Sequence, residues 1–254
     1  MTQRQVKAAV LLIGDELLSG RTQDVNLQAI AKFLAPLGVQ VAEARVVPDV
    51  PEEMVAAINA LRAKYDYVFT TGGIGPTHDD KTADAMAAAF NVGIDVRDDA
   101  RAILEAHYKN RDSLNESRLR MARIPDGATL IANPVSKAPG FQIGNVFVMA
   151  GVPSIMRGML QDIVGRIEGG AVVRSVTVRG KGVREGQIAE GLAKLEAEAP
   201  GVSFGSYPWF TPDGFGLHLV ARSSDADALV KAEADLKTLI ASCGAEPEVV
   251  EDAV

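Results

Sequence analysis

The chain has 254 residues, with 26 Lys plus Arg against 33 Asp plus Glu and a net charge of −7. That length suits one large domain, or a medium one with a small companion. The acidic balance argues against binding nucleic acid or an anionic membrane through bulk electrostatics. With Cys243 as the only cysteine, an internal disulfide and a cysteine-built zinc site are excluded, and a reducing, cytoplasmic location is expected.

The first apolar run, Ala8 to Ile13, is too short to cross a membrane and reads as a strand buried on both faces. It ends in GDELLSG, Gly14 to Gly20, an acidic loop where an open α/β sheet usually receives its ligand. Asp15 and Glu16 there suit a metal or a hydroxylated ligand, or simply a turn. Asn26 to Leu37 has helical apolar spacing with Gly38 as its stop, Val39 to Val47 a strand pattern, and Glu52 to Ala63 a second helix.

The next stretch carries the densest chemistry. Tyr67 to Phe69 is a β-favouring run, followed by Gly72, Gly73, Gly75 and Pro76 and then by the helix-forming residues from Asp80 to Phe90. Unpaired N–H groups at such a turn can hold a phosphate. Asp79 and Asp80 would repel one unless a divalent cation bridges them to it, or unless an acid acts as catalytic base beside a neutral part of the ligand. The alternative is a capping box between Thr77 and Asp80. Asp80 and Asp84, four apart, are expected to share a face, with Asp79 pointing elsewhere. Neither G-x-G-x-x-G nor the P-loop pattern fits, and His78 suits either a ligand contact or solvent.

Asp98 to Arg123 reads as helical and rich in Arg, including Arg111, Arg118, Arg120 and Arg123, which is the pattern of a solvated face. Thr129 to Ala132, Asn133 to Phe141 and Val146 to Ala150 add extended structure, and GVPS, Gly151 to Ser154, turns into a further helix. Lys137 suits either phosphate neutralisation or an ordinary surface position. Gly169 and Gly170 mark the boundary between domains at 1–168 and 169–254. The second has the order βαββαβ, a split-βαβ plait. Its DGFGLHLV, Asp213 to Val220, faintly resembles a strand of an RNA-recognition module, but Leu217 and Leu219 stand where aromatics are wanted. Eight Lys plus Arg against thirteen Asp plus Glu from Gly170 onward leave −5, so packing or dimerisation is the expected role. Alternating strands and helices in the first domain predict βαβ units and a mostly parallel sheet.

TTGGIGPTHDDKT, Thr70 to Thr82, together with GDELLSG, PGF at Pro139 to Phe141 and GVPS, resembles the MoaB/Mog-like molybdopterin-binding family. Within it the chain is most similar to the CinA-type branch, where Ile74 replaces the threonine of the pterin enzymes. The resemblance implies a three-layer α/β/α sandwich and a small-molecule ligand, either a pterin or a nucleotide pyrophosphate such as ADP-ribose or FAD. It implies Asp80 as catalytic aspartate and Asp49 as the second acidic position, with a divalent metal (Mg, Mn or Co) on Asp80 and Asp15. Asp15, Glu16, Ser19, Thr71, Gly72, Gly73, Gly75, Pro76, Thr77, Lys137, Gly151, Pro153 and Ser154 are the expected substrate contacts. A homo-oligomer is expected, and the amidase domain of longer CinA-type proteins is not among these residues.

Overall fold

The computed structural model describes residues 4–108 and 114–250. The chain divides into two compact units, Met1–Gly170 and Ala171–Val254.

The first unit is built on a six-stranded sheet. Strand β1 (Val6–Ile13) is followed by a single helical turn, α1 (Asp15–Leu18), then α2 (Asn26–Leu34) and the edge strand β2 (Val39–Val47). Helix α3 (Pro51–Lys64) leads to β3 (Tyr67–Thr71), and α4 (Thr82–Phe90) leads to a short ribbon of β4 (Ile94–Val96) and β5 (Arg123–Pro125), with α5 (Asp98–His107) and α6 (Glu116–Leu119) between them. Strands β6 (Thr129–Ile131), β7 (Gly140–Ile143) and β8 (Val146–Met149) then precede α7 (Pro153–Ile163). The sheet order is β2-β1-β3-β8-β7-β6. Its first four strands are parallel; β7 pairs antiparallel with β8, and β6 pairs antiparallel with β7.

β1 is apolar throughout because both its faces are covered. Ala9, Leu11 and Ile13 pack with Met54, Ile58 and Leu61 of α3 and Met86 of α4. Ala8, Val10 and Leu12 pack on the other side with Ile30 and Leu34 of α2 and Met156 and Leu160 of α7. The result is the three-layer α/β/α sandwich with a mostly parallel sheet.

The region read as helical from Asp98 to Arg123 is helical only in part. α5 stops at His107, the Asn115 side chain accepts from the Arg118 N–H at 3.0 Å to start α6, and Arg123 already lies in β5. Pairing of β5 with β4 forces the chain to turn back, which outweighs local helix propensity. Arg111 lies outside the described residues. Residues Gly169 and Gly170 stay with the first unit, where the Gly170 N–H donates to the Gly38 carbonyl at 3.3 Å.

The second unit has the strands β9 (Arg174–Lys181), β10 (Ser203–Thr211), β11 (Gly214–Ser223) and β12 (Pro247–Val250), with α8 (Glu185–Glu198) and α9 (Ala226–Ser242). Its sheet is antiparallel in the order β10-β11-β9-β12, the split-βαβ arrangement. Leu217 and Leu219 are buried in its core with Leu236 and Ile240, which accounts for aliphatic residues at those positions. Among the described residues, no helix is long and apolar enough to cross a membrane.

Candidate functional site

The strand ends set the geometry. Ile13 lies opposite Val47, Leu12 opposite Thr71, and Thr71 opposite Met149, so β1, β2, β3 and β8 finish along one edge of the sheet. Since β2 and β3 flank β1 on opposite sides, this edge is also where the strand order reverses, and such a crevice receives ligands in open α/β sheets. A cavity of about 580 Å³ opens there. Gly14 and Glu16 line it after β1, Asp49 after β2, Gly72 to Pro76 with Asp79 and Asp80 after β3, and Gly151 and Val152 after β8.

The glycine turn is held by packing that tolerates no side chain. Gly72 and Gly73 have φ of +106° and +65°, and a Cβ on Gly72 would come within 2.1 Å of the Ile13 carbonyl oxygen. The N–H of Gly72 donates to the Met149 carbonyl at 3.2 Å, so that amide serves the sheet and is not available to a ligand. Thr82 closes the turn from behind. It is fully buried, its hydroxyl donates to the Gly72 carbonyl at 2.9 Å and its N–H to that of Gly73 at 3.0 Å.

Consequently α4 starts at Thr82, and the expected helix start at Asp80 moves two residues on. Thr77 and Asp80 do interact, the Thr77 N–H and hydroxyl both donating to Asp80 Oδ2 at 2.8 and 2.6 Å. This pair closes a turn ahead of the helix and is no capping box. Asp80 lies against Gly75, where a Cβ would meet its Oδ2 at 2.7 Å. Asp84 is occupied elsewhere, accepting two bonds from the Arg123 guanidinium at 2.7 and 2.6 Å. Asp79 lines the same cavity as Asp80 and does not point away from it.

Asp49 Oδ2 accepts the Asp15 N–H at 3.0 Å, tying the first loop to the second. Burial pushes the Asp49 carboxyl above the usual range, and the charges of Asp15, Glu16 and Asp79 push the same way. The Asp15 side chain does not line the cavity. Among the described residues no three His, Cys, Asp or Glu side chains converge to hold a metal ion. The all-carboxylate donor set nevertheless fits a hard divalent cation of the kind held by one or two carboxylates and completed by substrate phosphates.

Several expected contacts lie elsewhere. Ser19 caps α1, its hydroxyl donating to the Glu16 carbonyl at 3.3 Å, and Thr71 is buried at the end of β3. Pro153 and Ser154 start α7 outside the cavity lining. Thr77 and the exposed His78 line a neighbouring cavity. The buried Asn133 explains Lys137: its carbonyl oxygen accepts the N–H groups of Val135 and Ser136, both at 3.0 Å, and its amide donates to the Ala138 carbonyl at 2.8 Å. That compact loop presents Asn133, Ser136 and Ala138 to the site, while Lys137, at φ +66°, lines a separate cavity with Asp162 and Arg166.

Other residues join the site with little warning from sequence. The Asn26 amide donates to the Gly151 carbonyl at 2.7 Å, fastening the last loop to α2. Tyr108, Arg118 and Met121 also line the cavity. The Arg118 guanidinium lies 4.5 Å from the Tyr108 ring centre. Only the concentration of Arg in that stretch hinted at such a role.

The family model described as probable molybdopterin binding domain matches residues 9–169, and that of the FAD synthase middle domain matches 176–247. A CinA-like protein of Citrifermentans bemidjiense is 36% identical over 244 residues, covering 91% of this chain and 58% of that protein. The chain spans between 51% and 58% of the length of the CinA-like relatives it matches. A protein of Aeropyrum pernix is 32% identical over 243 residues, with 92% and 91% coverage. The crystal structure of CinA from Thermoplasma acidophilum, of unknown function, superposes with a TM-score of 0.60 at 35% identity, covering 63% of this chain and 96% of that one.

Proposed function

Since this chain belongs to the family of probable molybdopterin binding domains, as a MoaB/Mog-like member of CinA type, we propose that its first unit hydrolyses a nucleotide pyrophosphate such as ADP-ribose or FAD with a divalent metal. One observation carries the reading: the glycine turn and the carboxylates of Asp49, Asp79 and Asp80 line a single cavity at the sheet switch point. A phosphate on the amides of Gly73 to Gly75 would stand beside Asp80, which Thr77 already orients. The match of the second unit to an FAD synthase domain supports a nucleotide ligand.

Asp80 would hold Mg, Mn or Co together with the substrate phosphates, and such an ion would polarise phosphoryl oxygens and acidify water. Asp49, with its carboxyl pushed upward by burial, suits the role of proton acceptor. Water oxygen bonds to one phosphorus while the bridging P–O bond breaks, and the two phosphates leave on separate products. For ADP-ribose these are AMP and ribose 5-phosphate.

The test is AMP release from ADP-ribose or FAD with each metal, comparing the wild-type protein with Asp80→Asn. A metal-stimulated rate that falls at least about 100-fold in the variant supports hydrolysis. Equal rates contradict it. A second reading, pterin binding without hydrolysis, is supported by the match of residues 9–169 to a probable molybdopterin binding domain. Tight pterin binding with no metal-stimulated turnover would establish it.

A further inference from the structure

Beside the main cavity lies a second one of about 840 Å³, lined by Pro76, Thr77, His78, Asn115, Ser117, Arg118, Arg120 and Arg123 among others. The two cavities share Pro76 and Arg118. Arg118 is therefore the ridge between them, on the short α6, with its guanidinium laid on the Tyr108 ring. The main cavity is lined by Glu16, Asp49, Asp79 and Asp80, and among the described lining residues Arg118 is its only Lys or Arg. A phosphate entering so acidic a space is helped by a cation, and a guanidinium offers planar, multidentate recognition of phosphoryl oxygens.

The second cavity is richer in arginine, with Glu116 as its one lining carboxylate among the described residues. Arg123 there is neutralised by Asp84, but Arg120 has its Nε buried without a hydrogen-bond partner among the described residues. Asn115 and Ser117 add polar groups. Such a surface suits the hydroxyl-rich end of a ligand with one phosphate at the glycine turn and the next at the ridge.

We propose that Arg118 is the phosphate-recognising residue of this site and that the ligand straddles it, one arm in each cavity. This rests on the proposed function for the identity of the ligand. Recognition by Arg118 is nevertheless a binding property, separable from turnover. The Arg118 guanidinium lies over the Tyr108 ring, and Lys at 118 supplies charge without the planar fork.

The experiment measures equilibrium binding of adenosine, AMP and ADP-ribose, without metal and at fixed salt, to the wild-type full chain and to Arg118→Ala, Arg118→Lys and Ser117→Trp. Each variant is checked for an unchanged melting temperature. Arg118→Ala should weaken AMP and ADP-ribose about 10- to 100-fold while leaving adenosine unchanged, with Arg118→Lys restoring part of the loss. Ser117→Trp, which fills the second cavity, should erase the advantage of ADP-ribose over AMP. The inference is overturned if the phosphorylated ligands bind no tighter than adenosine to the wild type, or if Arg118→Ala weakens all three alike or none. An unaltered ADP-ribose to AMP ratio in Ser117→Trp overturns the two-armed placement. Absence of metal-stimulated turnover with intact, Arg118-dependent binding would defeat the hydrolase reading alone.

Discussion

Replacing Gly73 by Ala tests the construction of the glycine turn. Gly73 has φ +65°, where a residue with a Cβ costs about 1–2 kcal/mol. The new Cβ would stand 2.2 Å from the Thr82 hydroxyl oxygen, which must swing away from the Gly72 carbonyl it bonds. Thr82 is fully buried, so breaking that bond adds about 1–3 kcal/mol. The total, about 2–5 kcal/mol, corresponds to a fall in melting temperature of about 4–20 °C for a unit of this size. In a Thr82→Ala background the clashing oxygen is gone and the neighbouring Thr82 Cβ would be 3.3 Å away, so Gly73→Ala should cost only its backbone strain. The double-mutant cycle therefore predicts a coupling of about 1–3 kcal/mol. Because the single tryptophan, Trp209, lies in the second unit, its fluorescence in urea follows that unit, and the far-UV circular dichroism change that does not coincide with it follows the first. If Gly73→Ala costs as much with Ala at 82 as with Thr, the clasp between Thr82 and the turn is not what constrains Gly73.

Asp49 yields a pH prediction. Its folded pKa is raised, first by burial, so the carboxyl favours the fold while protonated and that contribution is lost as pH climbs out of the ordinary carboxylate range. In chelator, Asp49→Asn should match the wild type near pH 4 and melt higher at pH 7; parallel curves would discredit the assignment. Glu43 behaves oppositely, held at about 2 by the Tyr65 hydroxyl first and then by Lys64 and Arg45. Its contribution is present above 4.5 and lost as pH falls toward 2, so Tyr65→Phe should begin acid unfolding at higher pH, and an unmoved acid midpoint would refute this. Thr77→Val removes the hydroxyl that holds Asp80 and should lower kcat/KM about 10-fold or more, whereas Thr77→Ser should retain activity; equal loss in both would point to the backbone bond instead.

The sandwich was legible because its cause is local. A strand covered on both faces must be apolar throughout, as Ala8 to Ile13 is, and the turns Gly72–Gly73 are needed where a Cβ has no room. The position of Asp80 near the turn could be read for the same reason, since Gly75 and Asp80 are close in sequence. The break between α5 and α6 was not legible, because it is imposed by β5 returning to β4. Nor was the burial of Thr82, which looks like any helix-start threonine until the Gly72 carbonyl is brought to it. Lys137 and Arg118 show the limit most clearly. Nothing local distinguishes the lysine that the Asn133 loop turns toward another cavity from the arginine that Tyr108 helps to place at this one.

The central claim is that phosphate and metal meet between the Gly73–Gly75 amides and Asp80. Anomalous diffraction from Mn²⁺ in crystals grown with an α,β-methylene analogue of ADP-ribose measures this directly. The account predicts a manganese peak bonded to the Asp80 carboxylate and to an analogue phosphonate that also accepts the turn amides. Analogue bound in the cavity with no manganese at Asp80, or with its phosphonates away from the turn, would contradict it.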